Sequence, residues 1–169
     1  HTKGFRGEAL AYIASIAQVE LITCQEGEQV GTSLKIEGNK ITEQTPMVAS
    51  RGTSIAMKHL FFNVPARRNF LKYDTVEMRH ILDEFHRVVL AHPDLQFSLF
   101  HNDVEQFALP ATTLRKRIVQ LFGQILNEQL IPVEENTELL RIHGFISKDS
   151  YKKNKSLQFF MVNQRFIKN

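Results

Sequence analysis

One cysteine, Cys24, is all the thiol that 169 residues contain. A lone thiol cannot close an intrachain disulfide and brings no second sulfur to a metal, which suits a reducing compartment, so Cys24 reads as a strand residue. No apolar run approaches the length needed to cross a bilayer, and the N-terminus lacks the basic segment followed by an apolar stretch that marks export. A cytoplasmic location and no membrane partner are therefore expected. The seven histidines are scattered, with no His-x-x-x-His or Cys-x-x-Cys spacing, and no transition-metal site is expected. A nucleophile-elbow motif, an internal repeat and low-complexity sequence are also missing.

What is present is a globular composition with an uneven charge. At 43% hydrophobic residues the chain can bury one core or two small ones. The net charge of +3 is concentrated at one end: from Lys148 onward, Lys148, Lys152, Lys153, Lys155, Arg165 and Lys168 face only Asp149, and the remainder is slightly acidic. A basic end on a near-neutral body suits the phosphate backbone of a nucleic acid. A solvated, turn-rich loop over residues 150–156 accounts for part of the same charge.

Periodicity gives an α+β order. Leu10, Ile13, Ala14 and Ala17 fall on one face of a helix over 8–17, which should pack on a sheet. Strands are expected over 19–23, 32–37 and 40–42, with Gly38-Asn39 as the hairpin turn, and over 53–57 after Gly52. Pro65 suits a first helical position and starts a short helix through Arg67 and Arg68, whose cations either contact phosphate or solvate an exposed helix. Phe61, Phe62 and Phe70 are expected to anchor that segment to the core. Met78, Ile81, Leu82, Phe85, Val88 and Val89 mark a helix over 75–91 that ends at His92-Pro93, its stripe being core. Strands over 95–100 and 105–109 then flank His101-Asn102-Asp103. A helix capped by Thr112 or Thr113 places Leu114, Ile118, Leu121 and Phe122 inward and has Gly123 past its end. Its Arg115-Lys116-Arg117 cluster opposes the helix dipole and reads as a solvated face rather than an anion site. Strands over 130–133, 139–146 and 157–162 follow, with Glu134-Glu135-Asn136-Thr137 as a turn.

The segment with most chemical content is Gly4-Phe5-Arg6-Gly7-Glu8-Ala9-Leu10. Two glycines let the backbone pass close to a bulky anion, and the helix opening at Glu8 aims free N–H groups back at the turn. Arg6 adds a permanent cation with a planar fork suited to phosphate oxygens or a carboxylate.

This segment resembles the third ATP-binding motif of the MutL family of DNA mismatch repair ATPases, in the gyrase, Hsp90 and MutL superfamily. Gly52-Thr53 followed by Leu60-Phe61-Phe62-Asn63-Val64-Pro65-Ala66-Arg67-Arg68-Asn69-Phe70-Leu71-Lys72 resembles the family's fourth motif, and Val162-Asn163-Gln164-Arg165 resembles its Val-Asn-Gly-Arg strand end. Three positions depart from the family pattern: Tyr12 where a small residue is usual, Asn69 where lysine is common, and Gln164 where glycine makes the turn.

The resemblance implies the C-terminal part of a Bergerat-type ATPase sandwich over 1–73 and a truncated ribosomal-protein-like second domain over 74–169. It also implies ATP contacts by Gly4, Phe5, Arg6, Gly7, Glu8, Ala9, Leu10 and Thr53. DNA contacts through Arg165, Lys168, Lys152 and Lys153 are expected, to the backbone and without sequence reading. ATP and Mg2+ are the cofactors implied for the parent protein, in which ATP drives N-terminal dimerisation and a DNA clamp that relays mismatch recognition to downstream repair enzymes. Partners implied are DNA, the mismatch-recognition protein, those enzymes and a second copy of the parent. The family's water-activating Glu, magnesium-holding Asn and Asp-x-Gly-x-Gly turn do not occur in the 169 residues. The chain is therefore expected to be a fragment that does not hydrolyse ATP by itself or bind the cofactors tightly. The alternative from another class is a non-enzymatic nucleic-acid-binding module with a ribosomal-protein-like fold.

Overall fold

A computed structural model describes residues 7–148 and 157–168. The chain divides into two compact units, one ending at Tyr73 and the other beginning at Asp74.

The first unit opens with α1 (Ala9–Ile16), which follows Gly7 at φ +67°. After Ala17 the chain enters a four-stranded antiparallel sheet of β1 (Gln18–Cys24), β2 (Val30–Glu37), β3 (Lys40–Val48) and β4 (Gly52–Lys58), in the order β3-β2-β1-β4. The β2–β3 turn is Gly38-Asn39 with both residues at positive φ, the geometry whose twist matches a two-residue hairpin. Register puts Val19 opposite Ile36 and Met57, and Leu21 opposite Leu34 and Ile55, so one face of the sheet is apolar. The other face carries Glu20 paired with Lys58 and Lys35 paired with Glu43, each at 2.7 Å. These bridges are exposed and add little to stability. The hydrogen bond from Lys58 lowers the Glu20 pKa, and that to Glu43 raises the Lys35 pKa. Helix α1 packs on β1 and β2, where Ala14, Ala17 and Val19 are buried. At Gly31 the chains lie so close that a Cβ would run into the Thr23 carbonyl oxygen. Strand β3 extends well beyond the expected 40–42. Its Pro46 is accommodated because β3 is an edge strand.

Beyond β4, His59 and Phe61 take positive φ, and α2 (Pro65–Arg68) begins with Pro65 in its first turn. Phe70 is 79% exposed and does not anchor this segment. The chain after α2 has no regular structure to fold Phe70 back onto the sheet.

The second unit begins with α3 (Asp74–Ala91), whose first turn carries Asp74 and Glu77, the charge sign a helix N-terminus favours. Val89 and Leu90 are buried, whereas Ile81 is exposed. A hairpin of β5 (Phe97–His101) and β6 (Val104–Leu109) turns at Asn102-Asp103, both at positive φ. Helix α4 (Leu114–Phe122) is capped by the Thr113 hydroxyl, which accepts from the Lys116 N–H, and Gly123 ends it at φ +102°. A short 3-10 helix (Gln124–Glu128) leads to β7 (Leu130–Asn136) and β8 (Arg141–Ser147). The expected turn at residues 134–137 is displaced to 137–140. The Thr137 hydroxyl oxygen accepts from the N–H groups of Leu139 and Leu140, so the chain reverses there and residues 134–136 remain in the ladder. The last hairpin is β9 (Met161–Val162) with β10 (Arg165–Phe166), shorter than the strand expected over 157–162. Among the described residues the strands of this unit pair as three separate hairpins.

Aromatic side chains organise the second unit's interior. Phe85 lies edge-on to Phe97, His86 edge-on to Phe107 and Phe122, and Phe159 meets both Phe122 and Phe166, with centroids 5.4–6.4 Å apart. The Arg87 guanidinium stacks 4.4 Å from the Phe166 ring centre.

Candidate functional site

The glycine turn is described from Gly7 onward; Gly4, Phe5 and Arg6 lie outside the described residues, as do Lys152 and Lys153. Gly7 is in the left-handed region, which a residue with a Cβ adopts only at a cost. Glu8 is the N-cap, but its side chain makes no capping bond, and the first helical bond runs from the Tyr12 N–H to the Glu8 carbonyl at 2.9 Å. The amides that open α1, at Ala9 and Leu10, are thus without a side-chain cap and sit at the positive end of the helix dipole, as an anion site requires. Residues 8–12 are exposed, so an anion has access, and the large Tyr12 ring is turned outward rather than into the helix–sheet seam.

Thr53, the second residue of β4, lies opposite Thr23, and the two hydroxyls hydrogen-bond at 2.9 Å. Among the described residues no hydrogen bond links Thr53 to the Gly7–Leu10 turn.

The Leu60–Arg68 segment is bound directly to α1. Asn63 donates from its side-chain amide to the Ser15 carbonyl at 2.8 Å, and the Phe61 N–H donates to the Ile16 carbonyl at 2.7 Å. The two segments form one structural block: one end of α1 carries the glycine turn and the other is closed by Phe61 and Asn63. Sequence reasoning placed Arg67 and Arg68 here but missed Asn63 as the tie.

In the second unit, Asn163 and Gln164 form the β9–β10 turn with φ of +49° and +63°. Phe166 points into the aromatic cluster, and strand alternation places Arg165 on the other face. Arg165 is half-buried and Lys168 is exposed.

Of the Arg115-Lys116-Arg117 cluster, only Lys116 is exposed as a solvated face would be; the two arginines are not. Arg117 is fully buried, at 0% exposure, and its guanidinium donates to the carbonyls of Pro93, Leu95 and Pro110 at 3.0, 2.7 and 3.0 Å. Arg115 donates to the Oδ1 and the backbone carbonyl of Asn127. These cations take loop carbonyls as partners in place of water, and the unfavourable position at a helix start was the one local signal for it. Burial lowers the Arg117 pKa. Glu77 and His80 stand three residues apart on α3, but among the described residues no group of three metal-binding side chains is assembled. No described helix is long and apolar enough to cross a membrane.

The chain is a mixed α/β protein whose first unit opens with an uncapped helix start behind a glycine turn. Residues 118–169 match the family described as DNA mismatch repair protein, C-terminal domain. The chain is 58% identical over 168 residues to the DNA mismatch repair protein MutL of Christiangramia forsetii and 56% identical over 169 residues to that of Flavobacterium psychrophilum. Each alignment covers 99% of the chain but only 27% and 28% of those relatives. Among solved structures it superposes on the Aquifex aeolicus MutL ATPase domain complexed with ADP, with a TM-score of 0.80 and 26% identity, covering 96% of this chain and 63% of that one. The chain belongs to the MutL family of DNA mismatch repair proteins, and it spans about a quarter of the length of the curated relatives it matches.

Proposed function

We infer that the chain is the part of a mismatch repair ATPase in which nucleotide binding is coupled to DNA. In this reading residues 1–73 complete a Bergerat-type nucleotide domain and residues 74–169 form most of a ribosomal-protein-like second domain. Gly4 to Leu10 hold the phosphates of ATP, with Mg2+, and Thr53 contributes a hydroxyl near the nucleotide. The carrying observation is the glycine turn that opens onto the uncapped amides of α1. The ADP-bound state of the Aquifex aeolicus MutL ATPase domain supports the same assignment. Bound ATP then orders the parent's N-terminal halves into a dimer around DNA, and the clamp signals from the mismatch-recognition protein to downstream repair enzymes in the cytoplasm. Arg165 and Lys168 contact DNA phosphates, as do Lys152 and Lys153, which lie outside the described residues.

The test is Arg6→Ala in the N-terminal region of the parent protein. Nucleotide affinity or ATP-induced dimerisation should fall while the circular dichroism spectrum is unchanged. Unchanged affinity together with unchanged dimerisation would reduce the glycine turn to a helix start.

A further inference from the structure

The β9–β10 hairpin is too short to hold its own place. Each strand contributes two residues, and the ladder gains one further backbone bond, from the Ile167 N–H to the Phe160 carbonyl at 2.8 Å. Its turn residues, Asn163 and Gln164, both sit at positive φ, which a residue with a Cβ adopts at a cost. An isolated two-stranded hairpin is marginal in water, so what this one rests on decides where it points.

It rests on α3. Strand β10 packs against that helix, and the Arg87 guanidinium lies 4.4 Å from the Phe166 ring centre. Phe159 joins the same ring to Phe122, with ring centres 6.2 Å from Phe166 and 5.9 Å from Phe122. Glu84, one turn earlier on α3, accepts a hydrogen bond from the Arg87 guanidinium. Arg87 is thus engaged by a carboxylate and by a ring face, and its side chain is only 30% exposed. A cation already paired with Glu84 is a poor phosphate ligand, whereas a planar guanidinium stacked on an aromatic face is a good clamp. Arg165 immediately precedes Phe166, so the two side chains leave β10 on opposite faces. Where the ring is seated therefore sets where the Arg165 guanidinium stands.

We propose that Arg87 is a positioning residue for DNA binding, a role that rests on the reading of Arg165 as a DNA contact: through the Phe166 ring it holds the β9–β10 hairpin on α3 so that Arg165 faces a DNA phosphate. Arg87 itself stays off the DNA. A cation–π contact at such a site is worth roughly a two- to fivefold change in an equilibrium. Apparent affinity falls with the fraction of protein in the competent form, so losing the stack should weaken DNA binding by about two- to fivefold.

The experiment measures binding of a DNA duplex to the full-length parent protein across salt concentrations. The proteins are wild type, Phe166→Leu, Arg87→Gln and Arg165→Ala, with each of the first two variants also combined with Arg165→Ala. Phe166→Leu removes the ring face while changing no charge. Because Arg87 is partly exposed, Arg87→Gln should keep the fold and serves as the independent second variant. Each is expected to lose about two- to fivefold in the presence of Arg165 and to lose nothing further once Arg165 is Ala, the non-additivity of residues that act through one another. Thermal unfolding is followed alongside. A contact that only supports the fold would lower the midpoint and leave DNA affinity, measured well below it, unchanged; that result would overturn the positioning role. Equal losses with and without Arg165 would also overturn it, by making Arg87 a separate DNA contact. Wild-type affinity and salt slope in Arg165→Ala would instead overturn the DNA reading of Arg165, and the role of Arg87 with it.

Discussion

Asn63 donates its side-chain amide to the Ser15 carbonyl, 2.8 Å away, and so closes the helix that starts at the glycine turn. The bond joins residues 48 positions apart and supplies a donor to a carbonyl that the helix itself leaves unpaired. Together with the Phe61 N–H on the Ile16 carbonyl, it fixes where α1 ends.

Asn63→Ala removes this cap while leaving the Phe61 bond. A loss of about 1 kcal/mol in unfolding free energy is expected, the ordinary net value of such a hydrogen bond. Urea denaturation of the wild type and variant measures it. A midpoint unchanged within error would mean that the Ser15 carbonyl is equally well served by water.

Arg117 presents the opposite case, a cation whose burial was not foreseen. Arg117→Ala should cost at least about 3 kcal/mol, since it removes the guanidinium donor from the Leu95 and Pro110 carbonyls and one of the two donors of the Pro93 carbonyl, which also accepts from the Thr112 N–H, and empties the volume of a long side chain. The transition of the second unit, followed by near-ultraviolet circular dichroism of its phenylalanines, is the readout. A loss below about 1 kcal/mol would show that water takes over the carbonyls at little cost.

His86 sits between Phe107 and Phe122 with its Nε2 buried and without a hydrogen-bond partner. Burial lowers its pKa from the ordinary 6.5, against the opposing pull of Asp83. The unfolded chain therefore binds a proton at a pH where the folded chain does not. This contribution to stability is fully present above 6.5 and is lost as pH falls through the lower folded-state pKa. Unfolding midpoints between about pH 7.5 and 5 should decline more steeply in the wild type than in His86→Leu. Parallel slopes would exclude the imidazole as the source.

The contrast between these residues indicates what the sequence can reveal. Strands β1, β2 and β4, helices α2, α3 and α4, and the hairpin turns at Gly38-Asn39 and Asn102-Asp103 follow from periodicity and from residues that tolerate positive φ, which are local properties. The turn after β7 was misplaced because Glu134-Glu135-Asn136 is polar enough to resemble a loop, and the deciding interaction, the Thr137 hydroxyl on two following amides, depends on one side-chain rotamer. Phe70 was expected inside as an aromatic, and Leu10, Ile81 and Val88 from helical periodicity, yet all four are exposed, because burial depends on whether a neighbouring element covers them. At the glycine turn, residue types pointed to a helix start behind a glycine, and α1 opens there without a side-chain cap. Asn63 and Arg117 could not be read in the same way, because Asn63 is defined by a carbonyl 48 positions away and Arg117 chiefly by those of Pro93 and Leu95, 24 and 22 positions away.

Gln164 occupies the second turn position between β9 and β10 at φ +63°, where the family's glycine carries no steric cost. Gln164→Gly should therefore stabilise the hairpin by about 1 kcal/mol while leaving Arg165 in place, which separates the turn's contribution from that of the charge. DNA binding is then compared across salt concentrations for the N-terminal region of the parent as wild type, Gln164→Gly and Arg165→Glu. If Arg165 neutralises one phosphate, its reversal should flatten the dependence of log affinity on log salt by roughly 0.9 or more, and it should weaken unrelated duplexes alike because backbone contacts carry no sequence information. Gln164→Gly should preserve the slope, since it adds and removes no charge. Identical affinity and slope for Arg165→Glu would leave Arg165 without a role in DNA binding, and a slope altered by Gln164→Gly would mean that the turn, and not the charge alone, sets how the basic face meets DNA.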